Sequence, residues 1–201
     1  MRELRSDIVA DLSHVDKGER TMNYYGAKEL AESFRTVRKN TIQIAEDIPE
    51  GKYSFKAAND VRSVEKLLTH IALSPGFGYQ IHAVEKRTTM EGFNFPALMQ
   101  QVMAEEAKPR TKAQILELLR KEGEKWASFI AGVSEEFLGQ VITMPPGGAP
   151  PSRNRFDMIA SVKEHEMHHR GQLMLIERMI GIVPHLTRQM QDRMAQAQQR
   201  S

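Results

Sequence analysis

The chain of 201 residues contains no cysteine. That excludes a disulfide framework, a cysteine-ligated zinc site and a protein thiol nucleophile, and it suits a reducing compartment. Charge of one sign is lacking too: 28 Lys and Arg stand against 26 Asp and Glu, and a net charge of +2 advertises no nucleic-acid face. No apolar run approaches the roughly 18–20 residues that span a bilayer. The opening stretch, Met1 to Asp7, lacks the basic-then-apolar pattern of a secretory leader. A soluble, cytoplasmic protein with neither a membrane nor a nucleic-acid partner is therefore expected. No internal repeat is visible, and the length suits a single domain over residues 1–201.

What the chain does have is histidine, unevenly placed. Of seven, three fall in the run Val162-Lys163-Glu164-His165-Glu166-Met167-His168-His169-Arg170-Gly171-Gln172. At about 100° per residue, Met158, Val162, His165, His169, Leu173, Ile176 and Ile180 share one helical stripe. An ordinary core stripe is aliphatic, and a lone histidine on one is a hydrogen-bonded packing residue. Two neutral imidazoles side by side are different, because each needs its own buried partner. Residues four apart carry Cβ atoms roughly 5–6 Å from each other, close enough for two ring nitrogens to converge on one cation. His168 lies on the flank of the stripe, which suits a supporting or substrate-facing group better than a ligand.

The rest of the chain reads as helices. A first helix is expected from about Asn23 to Asp47, with Ala27, Leu30, Phe34, Val37, Thr41, Ile44 and Ile48 as its seam and Pro49-Glu50-Gly51 as its stop. A second runs from about Phe55 to Leu73, burying Val61, Val64, Leu67, Leu68 and Ile71, with His70 at the margin of that face. Residues 75–110 read as a long connection with one short helix after Asn94-Phe95-Pro96. A third helix opens on Thr111-Lys112-Ala113-Gln114, a capping box, and continues to Val133. Ser134 to Phe137 suggests one helical turn, and Thr143 to Ser152, rich in Gly and Pro, reads as loop. A fourth helix then spans Asn154 to Gly181. The bundle core is expected at about 22–182, with an N-terminal extension at 1–21 that reads as a loosely packed helix and a poorly specified tail at 183–201.

Four helices with apolar seams make an all-α four-helix bundle, an architecture that builds metal sites from facing helices. His70 of the second helix can face His165 and His169 of the fourth. Three imidazoles with one open position form a catalytic type of site, in which an ion activates water or a thiol at neutral pH. His165-Glu166-Met167-His168-His169 also fits H-E-x-x-H, which would make Glu166 a general base. The glycine expected three residues past the second histidine is replaced by Gln172, and no third ligand follows suitably downstream. Glu166 reads equally well as a solvated helix residue. The catalytic residues are left unassigned, with Glu166, His168 and Gln172 as candidates; Arg170 reads as facing solvent or a partner subunit.

Leu67-Leu68-Thr69-His70-Ile71-Ala72 followed by His165-Glu166-Met167-His168-His169-Arg170-Gly171-Gln172-Leu173 resembles the DinB/YfiT-like family of damage-inducible four-helix metalloproteins, over roughly residues 22–182. The resemblance implies a divalent ion, zinc or nickel, on His70, His165 and His169, and a homodimer. It also implies reactions of small molecules, including transfer of low-molecular-weight thiols, so that a thiol S-transferase acting on a small electrophile is the leading expectation. Metal-dependent hydrolysis of a small ester or amide, or a non-catalytic metal-binding role in a stress response, are the alternatives. The long connection between the second and third helices and the extra terminal segments depart from the simplest members of that family.

Overall fold

The computed structural model describes residues 25–200. In chain order the helices are α1 (Ala27–Asp47), α2 (Val64–Leu73), α3 (Pro75–Tyr79), α4 (Phe95–Ala107), α5 (Lys112–Ala131) and α6 (Glu135–Gly139). A two-stranded hairpin follows, β1 (Val141–Thr143) and β2 (Ser152–Asn154), then α7 (Arg155–Met179) and α8 (His185–Gln198). No helix of the described residues is long and apolar enough to cross a membrane.

The all-α four-helix bundle is present, formed by α1, α2, α5 and α7. Helix α1 packs against α5 and α7, and α2 packs against the same two, giving the order α1–α5–α2–α7 around the bundle. The α1 seam behaves as its heptad spacing dictates: Ala27, Leu30, Phe34, Val37, Thr41, Ile44 and Ile48 are all buried. Helix α5 starts where the capping box requires, with the Thr111 hydroxyl accepting from Gln114 N and the Gln114 side chain accepting from Thr111 N at 2.9 Å.

The buried side chains form two apolar clusters. One joins Ala27, Leu30 and Phe34 of α1 to Trp126 and Ile130 of α5 and Ile159 of α7. The other joins Ile44 of α1 and Ile48 just past its end to Val64, Leu67, Leu68, Ile71 and Ala72 of α2, to Ile115 and Leu119 of α5 and to Leu173 and Ile176 of α7. The gap between them is polar, and Arg38, Gly123, Glu166 and His169 fall in it. Gly123 is needed there: a Cβ on it would sit 2.8 Å from Arg38 Cγ, so α5 leaves room for the arginine to cross.

Four sequence expectations are corrected. The second helix begins at Val64 rather than Phe55, because Ser63 caps it and the Phe55 and Tyr53 carbonyls accept from Val64 N and Glu65 N, leaving Val61 exposed. The 75–110 connection is more helical than one short segment: α3 and a π-helical turn at Gln80–Val84 follow α2, and α4 extends over 13 residues. The Thr143–Ser152 stretch is closed at its ends by the hairpin, with Thr143 opposite Ser152 and Ile142 fully buried. The tail forms α8, anchored by buried His185 on Asn40 Oδ1 at 3.2 Å and by Arg188 on Asp47 Oδ2 at 2.6 Å. The helix expected within residues 1–21 lies outside the described residues.

Candidate metal centre

Helix α7 buries the predicted stripe at His169, Leu173 and Ile176, but at Ile159 and Glu166 its buried face lies one residue away from it. Its buried positions are Arg155, Ile159, Glu166, His169, Leu173, Ile176 and Glu177, while Met158, Val162, His165 and Ile180 are half-buried. His165 sits at the edge of the core and His169 just inside it, both facing α2, where His70 projects from the last turn of its helix. The three rings gather at that edge. His165 Nε2 lies 3.1 Å from His70 Nε2 and 3.1 Å from His169 Nε2. One ring nitrogen from each lies within 4.8 Å of the other two.

The outer nitrogens fix the protons. His70 Nδ1 is 2.6 Å from Glu106 Oε1, a carboxylate that can only accept, so Nδ1 carries the hydrogen. His169 Nδ1 donates to Gln172 Oε1 at 2.8 Å, and the Gln172 amide donates in turn to His168 Nε2 at 3.3 Å. With the proton on Nδ1, the uncharged forms of His70 and His169 both present an Nε2 lone pair to His165 Nε2. A proton on His165 can satisfy one of them and leaves the other bare, at a cost of about 1–3 kcal/mol for a buried acceptor. One divalent cation satisfies all three. Tetrahedral zinc with N ligands at about 2.0–2.1 Å spaces them about 3.3–3.4 Å apart, close to the separations observed. The donor set fits such an ion, and His70, His165 and His169 could hold it.

The electrostatics point the same way. Burial, followed by the neighbouring histidines, pushes His165 down to about 4, and burial outweighs the Gln172 hydrogen bond to lower His169 as well. Both rings are kept neutral, the form that ligates. His165 Nδ1 is buried without a hydrogen-bond partner among the described residues.

Glu166 departs from one of the expectations for it. It is fully buried, so it is no solvated surface residue. Its carboxylate faces Arg38 of α1, with Nε to Oε1 at 2.9 Å and Nη2 to Oε2 at 2.8 Å. Arg38 also donates through Nη1 to Leu119 O and through Nη2 to Ile71 O. One guanidinium therefore links α1 to α5, to the residue after His70 and to the residue after His165. His168 and Gln172 are exposed on the α7 flank, and Arg170 is half-buried.

Two residues at the centre were not legible beforehand. Glu106 comes from α4, none of whose residues is buried, so it belongs to no seam. Arg38 stands next to seam residue Val37, and an acidic residue beside the clustered histidines was the one signal that a cation should be sought on a facing helix.

A helical bundle whose facing helices bring three imidazoles to one point defines a class, that of bundles with a histidine-rich centre that could hold a divalent metal. The chain belongs to the DinB superfamily, whose family model matches residues 33–173 and so encloses all three histidines. Among solved structures, a DinB-like protein of Bacillus subtilis shares 23% identity and a TM-score of 0.56, covering 76% of this chain and 92% of its own. YfiT of Bacillus subtilis shares 11% identity and a TM-score of 0.59, covering 78% of this chain and 88% of its own; it is described as a probable metal-dependent hydrolase with an unusual four-helix bundle topology. At these identities the likeness is one of fold. No curated protein matches the chain.

Proposed function

We propose that the protein is a divalent-metal-dependent enzyme acting on a small molecule, with zinc or nickel on His70, His165 and His169, and that it transfers a low-molecular-weight thiol to a small electrophile. The observation that carries the choice of reaction is the engagement of Glu166 by Arg38. With both its oxygens committed, the carboxylate of the H-E-x-x-H run is not free to act as a base toward water. A divalent ion held by His70, His165 and His169 would supply Lewis acidity that acidifies a thiol, so thiol activation would need no neighbouring base.

The chain's own groups have separate tasks in this reading. Glu106 and Gln172 hold the rings of His70 and His169 through Nδ1, so that Nε2 faces inward. Arg38 and Glu166 keep α2 and α7 in register. A cleft of about 340 Å³ that touches His169 and Gln172 has the size of a small-molecule pocket. The same reading carries the expectation of a homodimer in the cytoplasm with a role in stress response.

A second reading, hydrolysis of a small ester or amide, is favoured by the description of YfiT. Cobalt-substituted protein distinguishes the two. A sulfur-to-cobalt charge-transfer band on adding small cellular thiols, together with thiol transfer to alkyl halides or epoxides, supports the first. Turnover of activated esters with no spectral response to any thiol supports the second. A bound ion indifferent to both kinds of compound leaves a non-catalytic metal-binding protein.

A further inference from the structure

Two clefts open beside the three imidazoles, and a single cationic side chain lines both. The first, about 340 Å³, passes His169 and Gln172 and is walled by Val61, Leu67, Leu175 and Ile176. The second, about 370 Å³, lies between α2 and α4 and reaches His70 and Glu106. Arg62, in the segment that precedes α2, lines each of them. Its guanidinium is half exposed, and its nearest anion, Glu106 Oε2, stands at 3.6 Å, outside hydrogen-bond range. The other Glu106 oxygen is committed to His70. Arg62 makes no hydrogen bond among the described residues, so its forked donors are available.

The placement is electrostatically out of balance. Arg62 lies near enough to His165 and His169 for its charge to act on both. A fixed guanidinium beside a cation site is repelled by the ion unless an anion comes between them. Glu106 supplies part of that anion, and Asp60 on the wall of the first cleft part of another. A bare anion gains only the pair with Arg62, whereas an anion with an apolar arm adds the burial of that arm against Val61, Leu67, Leu175 and Ile176. Leu175 is 59% exposed, and Val61 41%, although they face this cleft, which leaves apolar area there for a ligand to cover.

We propose that the site takes a small amphipathic acid: a carboxylate received by Arg62 and a short apolar chain lying in the first cleft, with the reacting group at the imidazole face. This rests on the metal-centre reading and narrows its substrate class. Arginine suits the task because its planar fork meets a carboxylate with two parallel hydrogen bonds.

The test is calorimetric titration of zinc-loaded and zinc-free protein with hexanoate, its neutral counterpart hexanamide, and acetate. Hexanoate is expected to bind about ten-fold or more tightly than hexanamide, as one charge-assisted pair demands. Arg62→Ala should remove that preference and Arg62→Lys should retain part of it, with circular dichroism unchanged because the side chain is at the surface. Acetate should bind more weakly than hexanoate by a similar factor. Equal binding of hexanoate and hexanamide, or hexanoate binding indifferent to Arg62→Ala, overturns the proposal; acetate binding as tightly as hexanoate shows that the carboxylate alone is held and overturns it too. Zinc content is measured on the same samples. Loss of zinc with hexanoate still discriminated by Arg62 in the zinc-free protein removes the metal reading alone, and zinc retained without discrimination removes this one alone.

Discussion

Arg38 of α1 and Glu166 of α7 form a fully desolvated ion pair, Nη2 to Oε2 at 2.8 Å with side-chain exposures of 5% and 0%, in the polar layer between the two apolar clusters. Each partner neutralises a charge that the core could not otherwise hold, and removing one strands the other. Glu166→Gln is therefore expected to cost about 3–5 kcal/mol in urea unfolding, and Arg38→Met a similar amount. The double variant Arg38→Met with Glu166→Leu should lose markedly less than the sum of the singles. Metal affinity in that double variant, measured with its fold intact, reports the positioning role: it should fall, since Arg38 also ties the carbonyl next to His70. A Glu166→Gln protein of native stability that has lost only turnover would instead make Glu166 a base.

Glu106 is expected to act on the metal through His70. The 2.6 Å contact sets the ring's tautomer and orientation, and losing such a partner costs about 10–100-fold in metal affinity. Glu106→Ala should show that loss in a competitive zinc titration while the thermal midpoint moves little, because α4 has no buried residue. Gln172→Leu should do the same through His169. Unchanged zinc affinity in both variants would mean the rings are oriented by packing alone.

Glu177 provides a pH signature of the fold. It is fully buried, with neither oxygen hydrogen-bonded among the described residues. Burial, followed by repulsion from Asp47, raises its carboxyl from the ordinary 4.5 to about 7. The folded state thus holds a proton that the unfolded chain has released. The corresponding stability is complete below about 4.5 and is lost as pH rises to 7, above which the loss is constant. Glu177→Gln removes this dependence. Unfolding free energies of the two proteins compared from pH 4 to 8 should diverge in favour of the variant, by about 1–3 kcal/mol at the upper end. Parallel curves would show that the carboxyl is solvated or paired.

The parts of the fold that were legible are those written in local apolar periodicity. All seven seam residues predicted for α1 are buried, and the Thr111–Gln114 box starts α5 as read. The histidine cluster was legible for a chemical reason: an i, i+4 imidazole pair on an inward stripe has few other uses, and His70 stood on the right kind of helix. What failed had no local signature. The solvated reading of Glu166 failed because apolar periodicity excludes charge by construction, and the carboxylate's partner lies 128 residues away. Helix α8 is held by a few polar anchors, His185 on Asn40 and Arg188 on Asp47, rather than by a seam, so its sequence reads as an unspecified tail. The hairpin ends of the Gly- and Pro-rich loop are three residues each, too short for an alternating pattern to show.

The central claim is that His70, His165 and His169 hold one divalent ion, and the most direct measurement is metal content per chain in protein purified without a histidine tag. About one zinc or nickel per chain is expected. His70→Ala, His165→Ala and His169→Ala should each empty the centre, and His168→Ala should leave it filled. No metal bound even after reconstitution, or an ion lost in His168→Ala and retained in the other three, would contradict the account.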